Sequence, residues 1–300
     1  MEVIFVKQPL FTGSGVAIIT PFTTDTVDYP ALRRLLDFQL AGGTDAIIVC
    51  GTTGEAATMS YIERMRTIET VVRHVDGRLP VIAGTGSNNT ETAITLSRDA
   101  ALAGVDGLLV VTPYYNKATQ RGLVRHYTAI ADAVAKPLIV YNVPSRTGVK
   151  CAAETYAALA EHPGIVGVKE ASGDLALVQK TRELCPEDFS IWSGNDDETA
   201  PIMLLGGKGV ISVAANVAPR QMHELTAACL AGDFVSAGAM QLRLRRLCEA
   251  LFWEVNPIPV KTALAMMGRC QEILRLPLCE MEPDRRQDLA SVLADYGLLN

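Results

Sequence analysis

Short runs of apolar and β-branched residues recur along the chain at spacings of roughly 20 to 30 residues, the period of a β-strand followed by a crossover helix. The runs are continuous rather than alternating, which is typical of parallel strands covered on both faces. They predict eight strands, at residues 15–20, 45–50, 80–85, 107–112, 137–142, 165–170, 189–194 and 209–214.

The segments between these runs have the periodicity of amphipathic helices; in residues 29–43, for example, Leu32, Leu35 and Leu36 share one face. Eight strand–helix units predict a closed (β/α)8 TIM barrel. The competing architecture is an open, doubly wound sheet. It would carry a glycine-rich dinucleotide fingerprint after its first strand, and the sequence GVAIITPF does not supply one.

Only helical patterns follow the eighth run. They predict helices at residues 219–232, at 234–253, from about 259 onwards and at 282–299. We therefore divide the chain into a catalytic barrel domain, residues 1–232, and a C-terminal helical extension, residues 233–300. The expected role of the extension is packing on the barrel and on neighbouring subunits.

The 300 residues are 49% hydrophobic and 20% charged, enough apolar material for a large core. The formal net charge of −6 argues against nucleic acid or an anionic membrane as a partner. The start of the chain lacks the layout of a secretory signal, and no apolar stretch is long enough to span a bilayer. We therefore expect a cytoplasmic protein.

The seven cysteines are scattered, and none of them has Cys-x-x-Cys or metal-ligand spacing. They are predicted to be small buried side chains in a reducing compartment, and no metal site is expected. A catalytic thiol is the alternative, which is disfavoured because no histidine stands in a recognisable partner motif.

Polar, small and glycine residues crowd the positions just beyond the predicted strands. The carboxyl ends of the strands form the active site of a (β/α)8 barrel, so this rim is where chemistry is expected. Its principal segments are GTTGE (51–55), TPYYN (112–116), YNVPSRTG (141–148), KEASGD (169–174) and SGNDD (193–197).

Lys169 ends a buried strand, so its ammonium must be hydrated, paired with Glu55 or Glu170, or used in chemistry. Burial in the mouth of a barrel disfavours the charged form and leaves a neutral amine, which can attack a ketone to form a Schiff base. Tyr141 ends the preceding strand and is placed to move the protons of that reaction.

A hydroxyl chain from Tyr141 through Thr53 to Tyr115 could carry the proton to solvent. The Schiff base would allow a bound keto acid to lose a methyl proton and add, as an enamine, to an aldehyde. Two anion sites are then expected: the GTTGE turn for the keto acid and Arg146 for a carboxylate on the second substrate. The simpler interpretations are a helix-capping turn, packed tyrosines and a solvated arginine.

The motifs together resemble those of the 4-hydroxy-tetrahydrodipicolinate synthase family, also called dihydrodipicolinate synthase. They are GTTGE, TPYYN, YNVPSRTG, the lysine of VGVKEASG, SGNDD and NPIPVK (256–261). This family belongs to the class I pyruvate aldolases, which include N-acetylneuraminate lyase. The resemblance runs from about Gly15 to the end of the chain. Lys169 and Tyr141 alone indicate the superfamily, whereas Arg146 and the two threonines favour the synthase.

The resemblance implies that Lys169 forms a Schiff base with pyruvate. It also implies a proton relay of Tyr141, Thr53 and Tyr115, in which Tyr115 reaches in from the partner subunit of a dimer. The reaction would condense pyruvate with L-aspartate 4-semialdehyde, within lysine and diaminopimelate biosynthesis. The family needs no metal or organic cofactor, and its usual assembly is a homotetramer built as a dimer of dimers.

The substrate-binding residues are likewise carried over from the family. Thr52 and Thr53 would hold the pyruvate carboxylate, and Arg146 would receive the carboxylate of aspartate semialdehyde. Gly194 and the main chain at Ile211 would line the pocket.

The segment that corresponds to the effector site of lysine-inhibited members matches at Asn88 and Tyr114 only. It carries Tyr61, Arg64 and Thr92 where imidazole or carboxylate groups would be wanted. An arginine there would repel the ammonium groups of lysine, so weak or absent lysine inhibition is our hypothesis.

Two rival functions remain at this stage. One is a related pyruvate aldolase that acts on a sugar or sugar-acid aldehyde, against which Arg146 argues. The other is a catalytically silent barrel that binds an amino acid or keto acid, against which the lysine, tyrosines and threonine together argue. Asn195, where an aspartate is more usual, could alter aldehyde binding without changing the Schiff-base chemistry.

Overall fold

The computed structural model describes residues 7–299. Within them, eight parallel strands pair in chain order, and β8 closes on β1 to complete the barrel. Every predicted strand overlaps an observed one, although the first, predicted at 15–20, lies at 13–17, and the (β/α)8 prediction is confirmed. The strands are β1 (Gly13–Ala17), β2 (Ala46–Val49), β3 (Val81–Gly84), β4 (Gly107–Val111), β5 (Leu138–Asn142), β6 (Ile165–Glu170), β7 (Ser190–Ser193) and β8 (Gly209–Ser212).

Helices surround the barrel, and three more follow them. Side-chain caps define several starts: Asp28, Ser60 and Asn89 each accept a hydrogen bond from a backbone N–H of the first turn. The helices are α1 (Tyr29–Ala41), α2 (Tyr61–Val75), α3 (Thr90–Leu102), α4 (Gln120–Ala133), α5 (Pro144–Thr147), α6 (Ala153–Ala160), α7 (Leu175–Leu184), α8 (Thr199–Leu204), α9 (Pro219–Leu230), α10 (Phe234–Ala250), α11 (Ile258–Met266) and α12 (Pro283–Asp295).

The core has two layers, one inside the barrel and one between the strands and the helices. Inside the barrel, Trp192 stacks on Phe11 with ring centres 5.3 Å apart, and its indole N–H donates to the Phe11 carbonyl. This interior cluster also holds Ile139, Tyr141 and Ile211. The barrel is therefore a packed core rather than a channel.

The C-terminal extension packs on the barrel and on itself. Helix α10 contacts α8 and α9, and α12 contacts α10 and α11. Helix α11 is the innermost part, because all residues from Ile258 to Leu264 are buried, including Lys261. In residues 7–299, no helix combines the length and the apolar character needed to cross a membrane.

Candidate active site

Lys169 lies at the carboxyl end of β6 and is 5% exposed. It is paired in register with Tyr141 of β5, and its Nζ lies 4.3 Å from the centre of the Tyr141 ring. Adjacent parallel strands place these two side chains on the same barrel face because their residues are aligned. The predicted nucleophile and its predicted proton carrier are thus brought together.

Neither of the carboxylates considered as partners pairs with Lys169. Glu170 points to the other side of β6, where it accepts hydrogen bonds from Asn142 Nδ2 and the Tyr156 hydroxyl. Burial raises the pKa of Glu170, and these hydrogen bonds oppose that rise. Glu55 pairs with Lys261. Among residues 7–299, the ion pairs do not include Lys169.

Gly194, which follows β7, packs directly against the aliphatic part of Lys169. A Cβ at this position would lie 2.5 Å from the Cβ of Ala171 and 3.0 Å from the Cε of Lys169. The Gly194 N–H also donates to the Glu170 carbonyl at 2.7 Å. The absence of a side chain at Gly194 therefore gives the lysine its path into the site.

A buried carboxylate adjoins this region. Asp196 Oδ2 accepts hydrogen bonds from the N–H groups of Val213, at 3.0 Å, and Ala214, at 2.9 Å. Burial raises the pKa of Asp196, and the Ser212 hydroxyl, the two N–H groups and, least of all, the nearby Lys169 only partly oppose this rise. In the described part of the chain, no group of three or more His, Cys, Asp or Glu side chains is arranged to hold a metal ion.

The GTTGE turn is anchored by an ion pair between Glu55 and Lys261, both of whose side chains are fully buried. The Lys261 ammonium also lies 4.1 Å from the centre of the Phe22 ring, and the other Glu55 oxygen accepts from the Arg275 N–H. Glu55 has a φ of +51°, a left-handed conformation that a glutamate adopts at a cost. The C-terminal extension thus holds the turn in a strained conformation.

Thr53 of this turn is buried, and its Oγ1 accepts a hydrogen bond from Asn256 Nδ2 at 3.0 Å. The main-chain carbonyl of Asn256 accepts a second hydrogen bond, from the guanidinium of Arg146, at 3.2 Å. One residue just ahead of α11 therefore contacts both a predicted relay residue and the predicted binder of the second carboxylate.

A cavity of about 400 Å³ opens at this end of the barrel. Thr52, Tyr141, Arg146 and Asn256 line it, together with Arg64 and Tyr114. Lys169 adjoins the cavity through the Tyr141 ring. Ile211, by contrast, is fully buried in the barrel interior.

Tyr115 stands apart from the other predicted relay residues. Its side chain is 89% exposed, and its backbone has a φ of +73°. A non-glycine residue in this conformation is uncommon and needs support from its surroundings. The resemblance places Tyr115 in the site of a partner subunit, and an exposed tyrosine on the rim is compatible with that role.

The geometry of a buried amine beside a tyrosine can be compared with known proteins. Residues 10–296 match the Dihydrodipicolinate synthetase family. The chain belongs to this family. The 4-hydroxy-tetrahydrodipicolinate synthase of Geobacter sulfurreducens is 52% identical over 97% of this chain and 100% of its own length. That of a Thermoanaerobacter species is 54% identical over 97% and 99%, respectively.

Solved structures agree with these relatives. The crystal structure of dihydrodipicolinate synthase from Aquifex aeolicus has a TM-score of 0.95 and 48% identity, and covers 96% of this chain and 99% of that one. Membership of the family and its barrel fold are thereby supported by both sequence and structure.

Sequence reasoning assigned no role to Asn256 or Lys261, although both stand in the NPIPVK motif. Lys261 carried a detectable signal, because a lysine within the apolar stretch 257–267 has to be paired when it is buried. No sequence pattern pointed to the role of Asn256, because its partner Thr53 is 203 residues away in the chain.

We predict that Gly194→Ala impairs reaction at Lys169. The added methyl group overpacks the site, which costs about 1 to 3 kcal/mol, and it displaces the lysine chain. Borohydride trapping of pyruvate should slow by about tenfold or more, a change of roughly 1.4 kcal/mol. Gly238→Ala in α10 is the matched control, because a Cβ there meets nothing within 4 Å. Trapping at the wild-type rate in Gly194→Ala would contradict the packing account.

We also predict that Lys261→Met destabilises the fold, because it leaves the buried Glu55 carboxylate without its counter-charge. Breaking a buried pair in this way costs about 3 to 5 kcal/mol, measurable by urea unfolding. The control is Lys180→Met, which removes the exposed pair with Glu154 and should change stability far less. Equal losses in the two variants would show that the buried pair does not anchor the turn.

Proposed function

We propose that this protein condenses pyruvate with L-aspartate 4-semialdehyde to give 4-hydroxy-tetrahydrodipicolinate, a lyase reaction of the diaminopimelate and lysine pathway. The observation that carries the proposal is the buried amine of Lys169, without a carboxylate partner in the described residues and 4.3 Å from the Tyr141 ring. Relatives that are about half identical over nearly the whole chain carry the name of this activity.

The first half of the reaction takes place at Lys169. The neutral Nζ attacks the keto carbon of pyruvate, and loss of water gives an imine. The imine withdraws electrons, so a methyl proton is removed and an enamine forms. Tyr141 is the group placed to transfer protons in these steps, with Thr53 next in the relay and Tyr115 of a partner subunit as its outer member.

The second half joins the two substrates. The enamine carbon attacks the aldehyde carbon, a carbon–carbon bond forms, and the aldehyde oxygen takes up a proton. The amino group of the former semialdehyde then attacks the imine carbon, which closes the ring and releases the Lys169 amine. Nothing is oxidised or reduced overall, and the water lost on imine formation is the only small molecule released.

Two binding regions serve the two carboxylates. Thr52 and Thr53 bind that of pyruvate, with Gly194 and the main chain of Ile211 as further pocket residues. Arg146 binds the carboxylate of the aldehyde substrate, since its guanidinium lines the cavity and is oriented by the Asn256 carbonyl. A sugar aldehyde has no carboxylate for this arginine, which is why the synthase is preferred to a sugar aldolase.

The proposal includes a homotetramer built as a dimer of dimers, acting in the cytoplasm. The exposed Tyr115 supports the assembly. A tyrosine that faces solvent in its own subunit can complete the relay only in the site of a neighbouring subunit. The thiols support the compartment: five of the seven cysteines are buried, as predicted, and burial raises the pKa of Cys50 to about 12, which keeps it in the unreactive thiol form. The prediction of burial is wrong for Cys270, which is half-buried, and for Cys279, which is exposed.

The test is turnover of pyruvate with aspartate semialdehyde, coupled to a downstream reductase, beside identical reactions with sugar aldehydes. We expect activity with the semialdehyde alone. In Arg146→Ala, the KM for the semialdehyde should rise by at least about tenfold, while trapping of pyruvate stays within about twofold, because a charge-assisted hydrogen bond contributes about 1.5 to 3 kcal/mol. Arg34→Ala on the exposed face of α1 is the control. Preference for a sugar aldehyde would instead assign the protein to another aldolase.

We further predict weak inhibition by lysine. Arg64 lines the cavity beside Tyr114 and donates a hydrogen bond to the Gly84 carbonyl, so a positive charge occupies the region where the effector's ammonium would bind. Lysine at about 1 mM should leave more than half of the activity, which means a dissociation constant above about 1 mM and a binding free energy weaker than about −4.1 kcal/mol. Arg64→Ala should become more sensitive. Half-maximal inhibition of the wild type far below 1 mM would refute the repulsion argument.

A further inference from the structure

Asn256 makes one side-chain hydrogen bond, and its partner is Thr53. The residue is 6% exposed, stands just ahead of α11, and donates from Nδ2 to Thr53 Oγ1 at 3.0 Å. Among residues 7–299, its Oδ1 has no hydrogen-bond partner. A buried acceptor without a partner costs about 1 to 3 kcal/mol, so this amide is a poor choice for stability alone.

The direction of the hydrogen bond matters for proton transfer. A threonine hydroxyl has one proton to donate and lone pairs that accept. Because the Thr53 oxygen accepts from Asn256, the Thr53 proton remains available to another acceptor. A carboxylate in place of the amide would accept this proton and remove it from the relay.

The main chain of Asn256 acts on the other substrate. Its carbonyl accepts from the Arg146 guanidinium at 3.2 Å, a contact that any replacement of the side chain leaves chemically intact. The side chain therefore acts on Thr53, in the pyruvate-binding region, and the main chain acts on Arg146, which binds the aldehyde substrate. The two contributions can be separated by substitution.

We infer that Asn256 is a positioning residue, which uses its amide to orient the Thr53 hydroxyl for proton transfer to and from Tyr141. This inference rests on the proposed function. Asn256 touches neither substrate in this account and acts through Thr53. Its loss should slow the proton-transfer steps and leave the amount of imine present on Lys169 at equilibrium largely unaffected, because a positioning residue changes rates and not the equilibrium.

The experiment measures exchange of the pyruvate methyl hydrogens with deuterium from solvent, in the absence of aldehyde, by NMR. Exchange reports imine and enamine formation without the second substrate. We expect Asn256→Asp and Asn256→Ala to slow exchange by about tenfold or more, given that general acid–base catalysis contributes about 10²- to 10⁴-fold. The amount of pyruvate that borohydride traps after equilibration, and the KM for the semialdehyde, should stay within about twofold of wild type. Gln287→Glu, an amide-to-acid change on the exposed face of α12, is the control.

Two further readouts separate positioning from a merely structural role. The exchange rate of Asn256→Asp should recover relative to wild type as the pH falls, because the protonated carboxyl can donate to Thr53 again, whereas Asn256→Ala should not recover. In a Thr53→Val background, replacing Asn256 should have little additional effect on exchange, as expected for two residues that act as one unit.

The outcomes are distinguishable. Absence of exchange in the wild-type protein would overturn the proposed function itself. An exchange rate in Asn256→Asp equal to that of the wild type would overturn the positioning role. So would equal losses of exchange and of trapping, and so would additive effects of the Asn256 and Thr53→Val substitutions. If Asn256→Asp fails to fold, Asn256→Leu, which has a similar shape and no donor, provides the same comparison, and its exchange should likewise slow by about tenfold or more.

Discussion

The structure depends on burying the amine of Lys169 at the barrel rim with neither a salt bridge nor a hydrogen-bonded carbonyl for it among residues 7–299. Three lysines of the described chain are buried, and each is treated differently. Lys7 donates to the carbonyls of Ala160 and Ile165, and Lys261 pairs with Glu55. Lys169 instead faces the ring of Tyr141. A buried cation normally needs a counter-charge, so the exception at the barrel rim is where the chemistry is placed.

The C-terminal extension is part of the site rather than an appendage to it. Lys261 neutralises Glu55 beneath the GTTGE turn, and Asn256 contacts Thr53 and Arg146. The division between residues 232 and 233 therefore separates two parts of the architecture, but the site needs residues from both. A barrel without the extension would leave a buried carboxylate unpaired and a strained turn unsupported.

Much of the fold followed from local pattern, because most strands are continuous apolar runs and most crossover helices have one apolar face. The outward direction of Glu170 followed from strand alternation, and the neighbourhood of Lys169 and Tyr141 followed from adjacent strand ends. The contacts of Thr53 and Glu55 with the extension did not, because their partners lie 203 and 206 residues away. No local pattern encodes a contact at that separation, and only the closed barrel brings the segments together.

The most direct test of the central claim is to locate the amine that reacts. Pyruvate and borohydride would be added to the wild-type protein, and the reduced adduct would be assigned by peptide mass spectrometry. We predict that it lies on Lys169 alone, and that Lys261, which is fully buried and paired with Glu55, remains unmodified. An adduct on any other lysine, or none at all, would contradict the account.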